Sequence, residues 1–225
     1  MDLNEMYKLK GVVQHYSWGG YSFIPNLLGK SNTNHQPFAE YWLGAHPNYP
    51  AEIENGQIKT LDQLIRLNPE AVLGTSVSKF PGLPYLLKVL DVRQMLSIQV
   101  HPNITSAKTG FEEENKKGIP VNAPHRNYKD ENHKPEMMVA LGDFWLLHGF
   151  KSEEKIKNVL QSKPEFKFLL PVFEKESYKG LYRKIMEMEQ EEVNKILQPV
   201  LEKIIPLYEE NRLEKNNEDF WAADF

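Results

Sequence analysis

The chain has 225 residues, 40% hydrophobic, 26% charged and 11% aromatic, which is enough apolar surface for a real core and excludes a disordered chain. A net charge of −4 gives no broad basic field, so nucleic acid is not expected as a partner. The absence of cysteine removes disulfides, thiolate zinc sites and cysteine nucleophiles, leaving His, Asp, Glu or Gln to hold any metal.

The opening MDLNEMYKLK has no apolar signal-like core, and no apolar run approaches the ~18 residues of a membrane span. A soluble, cytoplasmic protein without a membrane partner is expected. In chain order, Lys8–His15 reads as a strand ending at Gly19-Gly20. Asn55-Gly56, between Ala51–Glu54 and Gln57–Lys59, is a hairpin signal. Thr60-Leu-Asp-Gln63 predicts a capping box opening a short helix that stops near Asn68-Pro69. Leu83–Leu90 and Met95–Val100 read as buried strands, Ile104–Lys117 as a helix, and Met137–Leu141 with Phe144–Leu147 as a hairpin across Gly142-Asp143. Short strands with frequent turns predict a β-sandwich or jelly roll.

Near residue 150 the character changes to Lys/Glu-rich helical periodicity. Ser152 can cap a helix beginning with Glu153 and Glu154, a second helix covers Tyr178–Met188, and a third about Glu191–Glu210. The last carries an apolar stripe through Val193, Ile196, Leu197, Val200, Leu201, Ile204 and Leu207, with Pro199 and Pro206 expected to kink or split it. The result is an α+β chain, residues 1–150 mainly β and 151–225 helical. Its end, with Phe220, Trp221 and Phe225, is unusually aromatic for a terminus.

On a strand, Ser97, Gln99 and His101 would share one face, and Leu96, Ile98 and Val100 the other. Such a polar face lines a cavity or meets water. Glu136, at the start of Met137–Leu141, would join His101 and Gln99 if its strand entered the same sheet. A His nitrogen with Gln and Glu oxygens suits zinc or another borderline divalent ion. Taken alone, Glu136 reads as a solvated strand end.

Several ordered stretches resemble type I phosphomannose isomerases: LKG through VQHYSWGG at residues 9–20, AEYWLGAHP at 39–47, LPYLLKVL at 83–90, LSIQVHP at 96–102, and the segment 128–137 containing DENHKPEM. They cover most of residues 7–150, and the last two are the most specific. The resemblance implies a cupin-like antiparallel β jelly roll followed by a helical domain. It also implies interconversion of mannose 6-phosphate and fructose 6-phosphate through a cis-enediol, with Zn2+ as cofactor. By position, Gln99, His101 and Glu136 match metal ligands, Lys134 a catalytic lysine, and His133 a residue that can help open the sugar ring. Trp18, Glu40, Lys88 and Ser97 match residues lining the sugar-phosphate pocket.

Read singly, Trp18 is plain core, Lys88 a strand lysine reaching outward, and Glu40 a solvated turn residue. His15, His46 and His148 read as structural, His35 and His125 as solvated. The family carries a second cupin half with a further histidine ligand and an arginine, and nothing in this chain matches either. The expectation is therefore a fragment, a domain, or a short form completed by association with a second cupin half or with its own copies. The competing readings are a non-catalytic sugar-phosphate- or metal-binding cupin, an inactive fragment of the isomerase, and a structural module.

Overall fold

A computed structural model describes residues 6–54, 58–80, 82–96 and 99–224. Two units divide the chain, Met1–Leu147 and His148–Phe225. The first opens with β1 (Leu9–Lys10) and β2 (Val12–Gln14), and a short helix α1 (Phe23–Leu27) precedes β3 (Glu40–Leu43). β4 (Ala45–His46), β5 (Tyr49–Pro50) and β6 (Glu52–Ile53) are two-residue pieces. Helices α2 (Leu61–Leu67) and α3 (Pro69–Leu73) follow, then β7 (Leu87–Leu90) and α4 (Ile104–Lys116).

The strands form one three-stranded sheet, β2-β3-β7, and two ribbons, β1-β6 and β4-β5, all antiparallel. In the larger sheet Gln14 lies opposite Glu40, and Trp42 opposite both Val12 and Lys88. This register delivers Glu40, Trp42 and Lys88 to one neighbourhood. Ile24, Ala39, Ala51, Ile53, Leu64 and Ile65 are buried in the same unit. Gly20 is required where the chain crosses β7: its N–H donates to the Asp91 carbonyl at 2.9 Å, its carbonyl accepts from Phe38 N–H at 2.7 Å, and a Cβ would lie 2.2 Å from the Asp91 carboxylate.

Several expectations change. The Asn55-Gly56 turn lies outside the described residues, but its flanks close as a hairpin would, with Ile53 N–H donating to the Lys59 carbonyl at 2.8 Å. Thr60 does cap α2, yet its hydroxyl donates to the Asp62 carboxylate at 2.5 Å instead of accepting from the helix, so the capping box is not formed. Of Leu83–Leu90 only Leu87–Leu90 is strand; Pro84 has no N–H to give a ladder. Among the described residues of Met95–Val100 none is strand, and Val100, expected on the buried face, is exposed. The hairpin expected over Met137–Leu147 is also absent: this stretch has no strand, and Met137 is 91% exposed. A strand is a property of a pair, and no neighbour among the described residues offers either segment a ladder.

In α4, Ala107, Gly110 and Glu114 form the buried stripe. Asn103 caps the helix, its side chain accepting from Ser106 N–H at 2.9 Å. Gly110 admits the Tyr128 ring, which a Cβ would meet at 2.4 Å.

The second unit is helical: α5 (Glu153–Ser162), a 3-10 turn (Pro164–Leu169), α6 (Leu170–Met186), α7 (Gln190–Glu209) and α8 (Glu218–Asp224). Ser152 caps α5 as expected, accepting from Lys155 N–H at 3.4 Å. α6 begins before Tyr178 but breaks its helical conformation at Ser177, where φ is 52°, so the expected start marks its second piece. α7 is not split; both prolines lie inside a continuous helix whose Val200 and Ile204 are buried. Leu160, Leu169, Phe173 and Leu181 form the core of this unit. The observed architecture is the α+β class expected, antiparallel strands first and helices after. No helix among the described residues is long and apolar enough to cross a membrane.

Candidate functional site

The sheet β2-β3-β7 presents a charged and aromatic cluster. Glu40 and Trp42 are two residues apart on β3 and so share a face. Trp42 Nε1–H donates to Glu40 Oε2. Lys88 Nζ is 3.3 Å from that same oxygen and 4.9 Å from the centre of the Trp42 ring. One tryptophan thus offers a hydrogen bond to the acid and a ring face to the base. His46 and Tyr49 extend the wall, with ring centres 4.9 and 5.6 Å from Trp42.

Tyr16 stacks on Trp18 at 5.6 Å. Burial and then the charges of Glu40 and Tyr49 push the Tyr16 hydroxyl above its ordinary value, which places this aromatic pair within electrostatic reach of Glu40. His46 titrates below its ordinary 6.5, first because it is half-buried, then because Lys88 and Lys134 bear on it. Lys134, on the exposed segment after α4 and paired with Asp130 at 3.2 Å, therefore adds its charge to the Lys88 side of the cluster. Asn48 N–H donates to His46 Nδ1 at 3.2 Å, leaving Nε2 to carry the proton of the neutral ring.

Since the fold holds His46 neutral more strongly than the unfolded chain does, the unfolded chain binds more protons just below 6.5. Stability should fall as the pH drops through that value. Thermal midpoints at pH 7.5 and 5.5 should differ less in His46→Asn than in the unmodified protein, and equal differences would remove His46 as the source.

The structure brings Glu40 and Lys88 into contact and carries the influence of Lys134 to the same place. Trp18 belongs to the aromatic stack beside them. Ser97 lies outside the described residues. Gln99 and His101 lie on the exposed segment before α4, and His133 and Glu136 on the exposed segment after it. Among the described residues no three His, Asp or Glu side chains gather as a metal group. The expected set has only His101 and Glu136 of those types, with Gln99 supplying an amide oxygen. Among the described residues none of these three has a hydrogen-bond or ion-pair partner, so their donor atoms are uncommitted. One imidazole nitrogen and two oxygens without thiolate remain a donor set that suits zinc.

Reading by sequence missed Trp42 and His46. Trp42 was not singled out and His46 was read as structural; AEYWLGAHP held both, and alternation along β3 was the available signal for Trp42. His15 is structural as expected, its Nδ1 bonded to the Pro37 carbonyl at 2.7 Å. His35 is not merely solvated, since it stacks on Tyr21 at 4.2 Å.

An antiparallel-sheet unit with a Lys/Glu/aromatic cluster, and with His, Gln and Glu donors on the segments either side of α4, has the makings of a small-molecule binding site. Residues 6–153 match the family described as phosphomannose isomerase type I, catalytic domain. This chain belongs to the type I phosphomannose isomerase family. The mannose-6-phosphate isomerase of Escherichia coli K12 is 39% identical over 199 residues, covering 85% of this chain and 51% of its own length. That of Homo sapiens is 38% identical over 176 residues, covering 73% of this chain and 39% of its own. The Salmonella typhimurium enzyme, solved with its substrate fructose 6-phosphate and zinc, superimposes with a TM-score of 0.80 at 34% identity, over 96% of this chain and 55% of that one. The chain spans about half the length of the bacterial relatives it matches.

Proposed function

We propose that this chain contributes the sugar-phosphate and metal-binding half of a cytoplasmic, zinc-dependent mannose-6-phosphate isomerase. Residues 1–150 form its cupin-like catalytic domain and 151–225 its helical domain. The observation that carries this reading is the cluster in which Lys88 meets Glu40 over Trp42 while Lys134 bears on the adjoining His46.

Aldose–ketose interconversion moves a proton between C1 and C2, and the difficulty is the negative charge that develops on the enediol oxygens. Gln99, His101 and Glu136 would hold the metal, and bound zinc would supply positive charge to those oxygens. Lys88 offers its ammonium to the phosphate or a sugar hydroxyl, with Ser97 expected beside it. Glu40 accepts from sugar hydroxyls, and Trp18 with Tyr16 covers an apolar sugar face. Lys134 and His133 are the two proton carriers this site holds, Lys134 for the C1–C2 transfer and His133 for ring opening.

The test is turnover of mannose 6-phosphate to fructose 6-phosphate by the 225-residue chain with added Zn2+, metal being counted in the same sample. Turnover supports the proposal, whether the chain acts alone or through self-association or a second half. The exposure of His101 and Glu136 favours one alternative, a protein that binds metal and sugar phosphate without converting it. Stoichiometric metal and fructose 6-phosphate binding with no turnover would establish that reading. Neither metal nor sugar phosphate bound would overturn both.

A further inference from the structure

We propose that Trp42 is a positioning residue of the sugar-phosphate site: its indole N–H and ring face together set how far Lys88 is drawn onto Glu40, and so how much of the Lys88 ammonium is left for substrate. The proposal rests on the functional reading above. Trp42 itself is buried and need not touch the sugar.

The geometry follows from the sheet. Trp42 and Lys88 are directly opposite in the β3–β7 ladder, and Glu40 is opposite Leu90, which puts Lys88 on the diagonal from Glu40. Diagonal neighbours are within reach of long side chains. Without a third group, an ammonium beside a buried carboxylate would settle onto it in a close pair. Here the Trp42 N–H occupies the same Oε2 that Lys88 approaches at 3.3 Å, while the ring holds the ammonium at 4.9 Å. Sharing one oxygen between two donors weakens the hold of Glu40 on Lys88. The Lys88 side chain stays 32% exposed, against 10% for Glu40, so the base is the more outward member of the pair. His46 packs on the indole at 4.9 Å, tying the residue that senses Lys88 and Lys134 to the same ring.

The test is a double-mutant cycle on fructose 6-phosphate affinity, measured by calorimetry on the zinc-supplemented chain. Trp42→Phe keeps an aromatic ring under Lys88 and removes only the N–H. It is expected to raise the dissociation constant about 10-fold, the usual weight of a hydrogen bond to a charged group. In a Glu40→Ala background the same replacement should change affinity less than about 2-fold, because the acceptor is already gone. Where turnover is measurable, KM should rise while kcat moves far less, a split that general loosening of the core would not give.

An unaltered dissociation constant in Trp42→Phe, or equal effects in both backgrounds, would overturn the inference and leave the function standing. No fructose 6-phosphate binding by the unmodified chain would overturn both together. If Trp42→Phe does not fold, the Trp42 indole N–H proton resonance of the unmodified protein decides. It should shift when fructose 6-phosphate is added, and an unmoved resonance in a chain that binds the sugar would sink the proposal.

Discussion

Lys134→Ala is expected to keep its metal and lose about 10²–10⁴-fold in turnover, the range for removal of a positioned proton carrier, whereas His101→Ala is expected to lose the metal itself. The two outcomes separate because of where the side chains sit. Lys134 makes an exposed pair with Asp130 at 3.2 Å, and exposed pairs contribute ~1 kcal/mol at most. Its removal should therefore leave the thermal midpoint nearly unchanged, so any loss of turnover reflects chemistry. His101 is exposed and has no partner among the described residues, so its removal costs the fold little, and missing metal reads directly as a missing ligand. Stoichiometric metal in His101→Ala would withdraw His101 from the ligand set. Full turnover in Lys134→Ala would leave His133 as the proton carrier.

What the sequence made legible follows the range of the forces involved. α5 was readable from Ser152 and the glutamates after it because a cap is settled within one turn. The helix expected over Ile104–Lys117 is α4, one residue shorter, although its Asn103 cap was not read. Glu40 and Lys88 could be nominated separately, but their meeting over Trp42 is a matter of β3–β7 register, which depends on contacts between residues far apart in the chain. Trp42 was invisible as a site residue because a tryptophan on an alternating strand looks like core, and it is core. The strands expected over Met95–Val100 and Met137–Leu147 failed in the opposite direction. Their β-branched and aromatic content is real, yet a strand needs a neighbour to pair with, and local composition carries no information about that neighbour. The residues proposed as metal ligands lie on these two segments. Motif nominates them, but carries nothing about their arrangement in space.

The segment bearing His133, Lys134 and Glu136 is held from behind, and Arg126→Ala is expected to show how firmly. Arg126 is 3% exposed. Its guanidinium donates to the Tyr128 carbonyl at 2.6 Å and the Asn115 side chain at 2.8 Å, and also to the Ile119 carbonyl. It lies 3.6 Å from Glu114 and packs on the Phe111 ring at 4.9 Å. Glu114 in turn accepts the backbone N–H groups of Asn127 at 3.1 Å and Tyr128 at 2.8 Å. One buried arginine thus fastens the start of the segment bearing Lys134 and Glu136 to α4. Truncating it strands several acceptors away from water, and breaking a buried pair of this kind costs about 3–5 kcal/mol. Lys134 and Glu136 would lose their anchor at the same stroke, so metal content should fall along with the thermal midpoint. The pH dependence has a definite sign. The Tyr128 amide first, with the Asn127 amide and Arg126 behind it, holds the Glu114 carboxyl below its ordinary 4.5. The stability it contributes is present above that value and is lost as the pH falls through the lowered one. Arg126→Ala should therefore flatten the acid limb of the stability curve as well as lower it. A variant with an unchanged midpoint and an unchanged acid limb would mean that the segment is held by something other than this clamp.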